Sequence, residues 1–228
     1  APEKILSVAS EAARLDIDTA LKIEGRHFVA LVPTPVAKNM ITANFFQLNQ
    51  VNGGASRPQG IEKTTVNKLG IIGAGMMGQG IAHVAALVGI DVVLKDMSLA
   101  AAEKGKAYTD KVLDKRISRG SFDADKKQAV LDGITATDND ADLQGCDLII
   151  EAVFENMPLK KQITANTEGH LNDQGIWGSN TSTLPITQLA EASAKPDNFI
   201  GIHFFSPVDR MRLVEIICGE KTSDTTLA

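Results

Sequence analysis

Aromatic residues are scarce in this 228-residue chain: one Trp, one Tyr and eight Phe, 4% of the whole. So few rings exclude the stacking platform on which single-stranded nucleic acids bind. Positive charge is also short, with 23 Lys+Arg against 28 Asp+Glu, so no broad basic field is available to a phosphate backbone. Two cysteines, Cys146 and Cys218, cannot build a disulfide framework, which favours a reducing compartment. No apolar run approaches the roughly 18 residues that a membrane span requires. The opening APEKILSVASEAARLD contains acids and lacks the cationic start and apolar stretch of a signal peptide. No metal site is expected. What is present is ordinary globular material, 43% hydrophobic and 22% charged. At roughly 150 residues per domain the length corresponds to about one and a half domains. A soluble α/β protein is the expectation.

Two textures divide the chain. Residues 1 to about 24 are rich in Ala, Leu and charge, which suits helix. Thr34 followed by Pro35 reads as an N-cap with proline in the first turn. Met40, Ile41, Phe45, Leu48 and Val51 then fall on one broad helical arc. Gly53 and Gly54 end it, and GGASRPQGIEK, residues 53–63, reads as a linker. Residues 1–65 are therefore expected to form a helical linker segment, and 66–228 a domain.

From Val66 onward, short apolar runs (KLGIIG, DVVLKD, CDLIIEAV, GIWGSNT, NFIGIHFF, LVEIICG) alternate with amphipathic stretches. Continuous apolar strands suit a sheet buried on both faces. The helical stretches between them imply βαβ units and a Rossmann-like, doubly wound, mostly parallel sheet.

Within it lies Gly73-Ala74-Gly75-Met76-Met77-Gly78, a G-x-G-x-x-G string between a strand and a helix. In that context Gly73 permits a tight turn, Gly75 admits a pyrophosphate, and Gly78 lets helix and strand pack closely. The helix N-terminus adds free N–H groups and a positive dipole end. Asp96 closes the next strand, 21 residues beyond Gly75. A carboxylate there accepts hydrogen bonds from both ribose hydroxyls and repels a 2′-phosphate, so NAD is favoured over NADP. The plainer alternative is a packing turn followed by an ordinary strand-end acid.

Of the four histidines, His203 stands apart. If the chain reverses about Asp209, His203 and Glu215 are equidistant from the turn and face each other across two strands. A carboxylate on one ring nitrogen would fix the tautomer and raise the basicity of the other, which is a general-base arrangement. A core histidine beside a surface glutamate fits the same spacing. SNTST, residues 179–183, sits where a strand end should face the crevice, yet Ser or Thr there could equally cap the helix near Pro185. Glu151 and Glu155 read alone as solvated helix-start acids. Residues 103–127 carry eight Lys/Arg against five Asp/Glu, either a solvated helix face or a docking stretch for a phosphorylated carrier.

Taken in order, KLGIIGAGMMGQGIAHVAA, DLIIEAVFENMPLKKQ, SNTSTLPI and GIHFFSPVDRMRLVEII resemble the 3-hydroxyacyl-CoA dehydrogenase family over about residues 66–220. The likeness extends to the α-subunit of the fatty-acid oxidation multifunctional enzyme. It implies NAD-dependent oxidation of 3-hydroxyacyl-CoA in β-oxidation, with a thiolase subunit as partner and a bacterial cytoplasm as location, ahead of mitochondrial matrix or peroxisome. It implies His203 as catalytic base, Glu215 as its orienting carboxylate and Ser182 beside the reacting oxygen. The cofactor would lie along Gly73, Gly75, Met76, Met77, Gly78 and Asp96, with Val153, Phe154 and Glu155 at its nicotinamide half. Lys160 would lie near cofactor and substrate, and Thr109 and Arg116 match coenzyme A contacts loosely. Ser206 stands where the family commonly has Asn, so the longer amide donor at that cofactor contact is lost. The family's helical C-terminal domain lies beyond Ala228, so the chain is read as a fragment that binds cofactor and turns over poorly. A β-hydroxyacid dehydrogenase of another substrate class, or a non-catalytic nucleotide-binding module, are the alternatives.

Overall fold

The computed structural model describes residues 1–228, which divide into two compact units, Ala1–Arg57 and Pro58–Ala228. The division falls inside the GGASRPQGIEK stretch. In the first unit, the helical stretch expected over residues 1 to about 24 is divided between α1 (Pro2–Ala12) and α2 (Ile17–Leu31). The break arises because Asp16 caps α2, its carboxylate accepting from the Thr19 amide at 3.0 Å. Thr34 caps α3 (Pro35–Ile41) as its sequence suggests, accepting from the Ala37 amide at 3.2 Å. A π-helical segment, Thr42–Gln47, then leads into α4 (Leu48–Asn52). No residue of these helices is buried, and Met40, Ile41, Phe45, Leu48 and Val51 all stay exposed.

The second unit is built on a seven-stranded sheet. Its strands are β1 (Lys68–Ile72), β2 (Asp91–Lys95), β3 (Ile134–Thr137), β4 (Cys146–Glu151), β5 (Leu171–Ser179), β6 (Phe199–Phe204) and β7 (Val214–Cys218). Their spatial order is β3-β2-β1-β4-β5-β6-β7; all neighbours pair in parallel except β6 and β7. The helices are α5 (Met76–Leu87), α6 (Leu99–Ile117), α7 (Lys127–Asp132), α8 (Met157–Thr167), α9 (Ile186–Ala190) and α10 (Asp224–Leu227). None is long and apolar enough to cross a membrane.

Alternate residues of a strand face opposite sides, and here both sides are covered. Leu69, Ile71, Val92 and Leu94 pack in one core with Ile81, Ala82, Ala85 and Ala86 of α5. Ile72, Val93 and Ile149 pack in a second core with Trp177, Phe199, Ile186 and Leu189. Each fully buried aliphatic side chain contributes roughly 1.5–3 kcal/mol of transfer free energy. With both faces closed, the open place for a ligand is the rim at the carboxyl ends of the strands. The order reverses between β1 and β4, which makes that rim a switch-point crevice.

Candidate active site

The glycine turn joins β1 to α5 under tight steric control. Gly73 has φ +100°, a left-handed conformation that disfavours side chains, and a Cβ there would meet the Ala152 carbonyl oxygen at 2.8 Å. At Gly78 a Cβ would lie 1.7 Å from the Gly73 carbonyl oxygen, so helix and turn touch through backbone alone. The middle glycine differs: nothing stands within 4 Å of where a Gly75 Cβ would point. No side chain caps the N-terminus of α5, leaving first-turn N–H groups open to an anion.

Asp96 lies just past β2 and locks onto this turn. One carboxylate oxygen accepts from the Ala74 amide and the other from the Met97 amide, both at 2.7 Å. A carboxylate accepts about four hydrogen bonds, so capacity for two ribose hydroxyls remains. Asp96, Gly73 and Val153 line a cleft of about 270 Å³ with Ile72, Lys95 and Met97. Lys95, the one cation beside Asp96, is held by Asp140 at 2.9 Å. Open glycine, uncapped helix and acidic strand end together fit a dinucleotide. The residues that would hold NAD are those of the turn, with Asp96 at its ribose. On the same rim Ser206 donates to the Met76 sulfur at 3.6 Å, while Phe154 is 86% exposed.

Across the crevice, β6 and β7 pair antiparallel, with His203 directly opposite Glu215. The reversal between them turns at Pro207, whose carbonyl accepts from the Arg210 and Met211 amides. His203 Nδ1 lies 2.7 Å from Glu215 Oε2, and Nε2 lies 3.1 Å from Ser182 Oγ. The carboxylate can only accept, so Nδ1 carries its proton toward Glu215 and Nε2 presents a lone pair toward Ser182.

What positions Ser182 is the carboxylate of Glu155, which stays partly exposed at the rim. Glu155 Oε1 accepts from the Ser182 amide at 2.9 Å, the Thr183 amide at 3.1 Å and the Thr181 hydroxyl at 2.6 Å. Burial opposes ionisation of Glu155, but these donors, with Lys160 nearby, outweigh it and hold the carboxyl at about 2.

Glu151 was also expected to be solvated, and the structure corrects this. Glu151 and Lys160 are each only 1% exposed and meet at 2.7 Å. Ser179 Oγ and the Val153 amide complete the carboxylate's partners, at 2.9 and 2.8 Å. A charged pair this deep survives only because it is matched and hydrogen-bonded. No local motif marks it: a Glu at a strand end and a Lys nine residues later look alike in solvated segments.

One expected contact sits elsewhere. Thr109 is 0% exposed on the inner side of α6, with its hydroxyl unpartnered, so it presents no surface to a substrate. Helix periodicity turns that residue inward, toward the sheet. Arg116 lies over the Phe122 ring at 5.0 Å. Within the basic 103–127 stretch Lys127 pairs with Asp110 and Asp114.

Comparison with known proteins agrees with this geometry. Residues 68–228 match the family model described as 3-hydroxyacyl-CoA dehydrogenase, NAD binding domain. An (S)-3-hydroxybutyryl-CoA dehydrogenase from Ralstonia eutropha is 42% identical, with a TM-score of 0.69, over 72% of this chain and 58% of that one. A 3-hydroxybutyryl-CoA dehydrogenase from Escherichia coli K12 is 32% identical, with a TM-score of 0.70, over 72% of this chain and 35% of that one. The dehydrogenase part of multifunctional enzyme 1 from C. elegans is 33% identical, with a TM-score of 0.65, over 73% of this chain and 38% of that one. The chain thus spans little more than half the length of the first of these, or less of the others. Since the glycine turn, Asp96 and the strand ends that carry Glu151, Ser182, His203 and Glu215 all fall inside the matched span, the chain belongs to the 3-hydroxyacyl-CoA dehydrogenase family and carries its NAD-binding domain.

Proposed function

We propose that the protein oxidises a 3-hydroxyacyl-CoA to the 3-oxoacyl-CoA. The observation that carries this reading is the Ser182–His203–Glu215 chain at 3.1 and 2.7 Å, set on the same rim as the glycine turn. His203 Nε2 takes the proton of the substrate hydroxyl, and the bond between carbon and oxygen becomes a carbonyl as hydride leaves that carbon. NAD, when bound, supplies the hydride acceptor. Ser182 Oγ holds the reacting oxygen beside Nε2. Glu215 stabilises the imidazolium that results and keeps the ring in the tautomer that can accept. Glu155 fixes the backbone of the Ser182 turn, so the hydroxyl is placed before substrate arrives. The similarity to the dehydrogenase part of a multifunctional enzyme supports a dehydrogenase domain that works within a multifunctional chain.

His203→Gln tests the role of the base, made in the longest chain that carries this domain and assayed with 3-hydroxybutyryl-CoA. Turnover should fall by roughly 100-fold or more, the usual contribution of a general base, with the Kd for NADH unchanged. Undiminished turnover overturns the assignment.

A further inference from the structure

Around Lys160 the structure gathers one carboxylate more than the ammonium requires. Lys160 Nζ contacts Glu151 at 2.7 Å and Glu155 at 3.3 Å. These three side chains form one connected set of formal charges: minus, plus, minus. Either carboxylate alone would balance the ammonium; with both present the set carries minus one. Glu151 takes the close, fully buried place against Lys160, which leaves the charge of the more exposed Glu155 unbalanced.

Its position suggests what the excess does. Asp96 at the end of β2 marks the ribose side of the crevice, and the uncapped start of α5 marks the pyrophosphate. The remaining half of a dinucleotide must then run the other way, over the ends of β4 and β5. There Glu155 holds the Ser182 amide at 2.9 Å, and Ser182 meets His203. The ring at that end carries a positive charge when oxidised and none when reduced. A fixed net negative charge beside it therefore acts on one redox state and not on the other.

We infer that Glu151, by neutralising Lys160, leaves the set with the net negative charge by which the crevice favours NAD⁺ over NADH, relative to the same crevice with the set neutral. This rests on the cofactor placement used under Proposed function. Glu151 is a positioning residue in this scheme, since its oxygens are occupied by Lys160, Ser179 and the Val153 amide.

The test compares Kd for NAD⁺ and for NADH, by calorimetry and fluorescence, in four proteins. Wild type carries a set charge of minus one. Glu151→Gln makes the set neutral and should raise the ratio Kd(NAD⁺)/Kd(NADH) by about three- to tenfold, as expected for a unit charge several ångströms away in a medium between protein and water. Glu151→Asp keeps the charge and should keep the wild-type ratio even if it loosens the fold. Glu151→Gln with Lys160→Met removes both partners, restores minus one, and should return the ratio to wild type. If Glu151→Gln does not fold, Glu155→Gln leaves the set equally neutral and must show the same rise. General loosening of the crevice weakens both nucleotides alike and leaves the ratio flat, so an unchanged ratio in the neutral variants overturns the inference. So does a double variant that tracks Glu151→Gln. A wild type that binds neither nucleotide overturns the cofactor placement itself, and the inference with it.

Discussion

Gly78→Ala is the most demanding test of the crevice, because its effect follows from one close backbone approach. The added Cβ would lie 1.7 Å from the Gly73 carbonyl oxygen and 3.2 Å from Ile71 Cγ2. Carbon and oxygen normally approach to about 3.2 Å, so turn and helix must part by roughly 1.5 Å in a close-packed interior. Neither atom at the first contact belongs to a flexible side chain, so no rotamer change relieves it. Overpacking of this kind costs about 1–3 kcal/mol. At roughly 2–4 °C per kcal/mol for a domain of this size, Tm should fall by about 2–12 °C. The same displacement moves the start of α5 away from Gly73, separating the N–H groups that an anion would bridge. NADH binding should weaken by about tenfold or more. Thermal unfolding by circular dichroism and an NADH fluorescence titration measure the two effects. A variant with wild-type Tm and wild-type Kd would refute the argument that backbone contact, rather than residue type alone, selects glycine there.

Glu155 gives the molecule an acid-sensitive joint. Its folded carboxyl sits at about 2 against an ordinary 4.5, so its stabilisation is complete above about pH 4.5 and is lost as pH falls toward 2. After discounting for partial exposure the contribution is about 1–2 kcal/mol. The Tm difference between wild type and Glu155→Gln should therefore be largest near neutral pH and shrink through that acid window; a gap that stays constant contradicts it. The thiols should also separate. Burial raises Cys146 to about 11, whereas Cys218 is exposed. A thiol reagent at pH 8 should titrate one cysteine in the native protein and two after denaturation, and two fast-reacting native thiols would contradict this.

Legibility followed sequence distance. The glycine turn, the strand before it and Asp96 lie within 29 residues, and each is forced by local backbone demands that leave residue-type traces. The cross-strand facing of His203 and Glu215 could be computed from symmetry about a short turn. The helical character of the N-terminal unit is plain in its Ala-rich sequence, but the break at Asp16 is not, because it turns on one cap whose partner is a single Thr. Glu151 and Lys160 were opaque for another reason. Their burial depends on Ser179, which is 28 residues from Glu151, and on strand pairing that places β5 beside β4. Thr109 was misplaced because a likeness aligns residue names, while the helix phase that turns it inward is set by packing.

The antiparallel β6–β7 hairpin has an entropic consequence. His203 and Glu215 are 12 residues apart, whereas Ser179 reaches Glu151 over 28 and Ala74 reaches Asp96 over 22. Loop closure becomes dearer by only about 0.6 kcal/mol per doubling of length, so the difference is modest, but its direction is definite. The histidine–glutamate pair is a local contact, closed across a single turn. The nucleotide cradle and the serine turn need the wound sheet to be in place. Of the proposed proton-handling pair, only Glu215 stands on the edge strand β7; His203 stands on β6, which also pairs with β5 and buries Phe199 and Ile200, so the ring is tied to the sheet and its carboxylate partner to the margin.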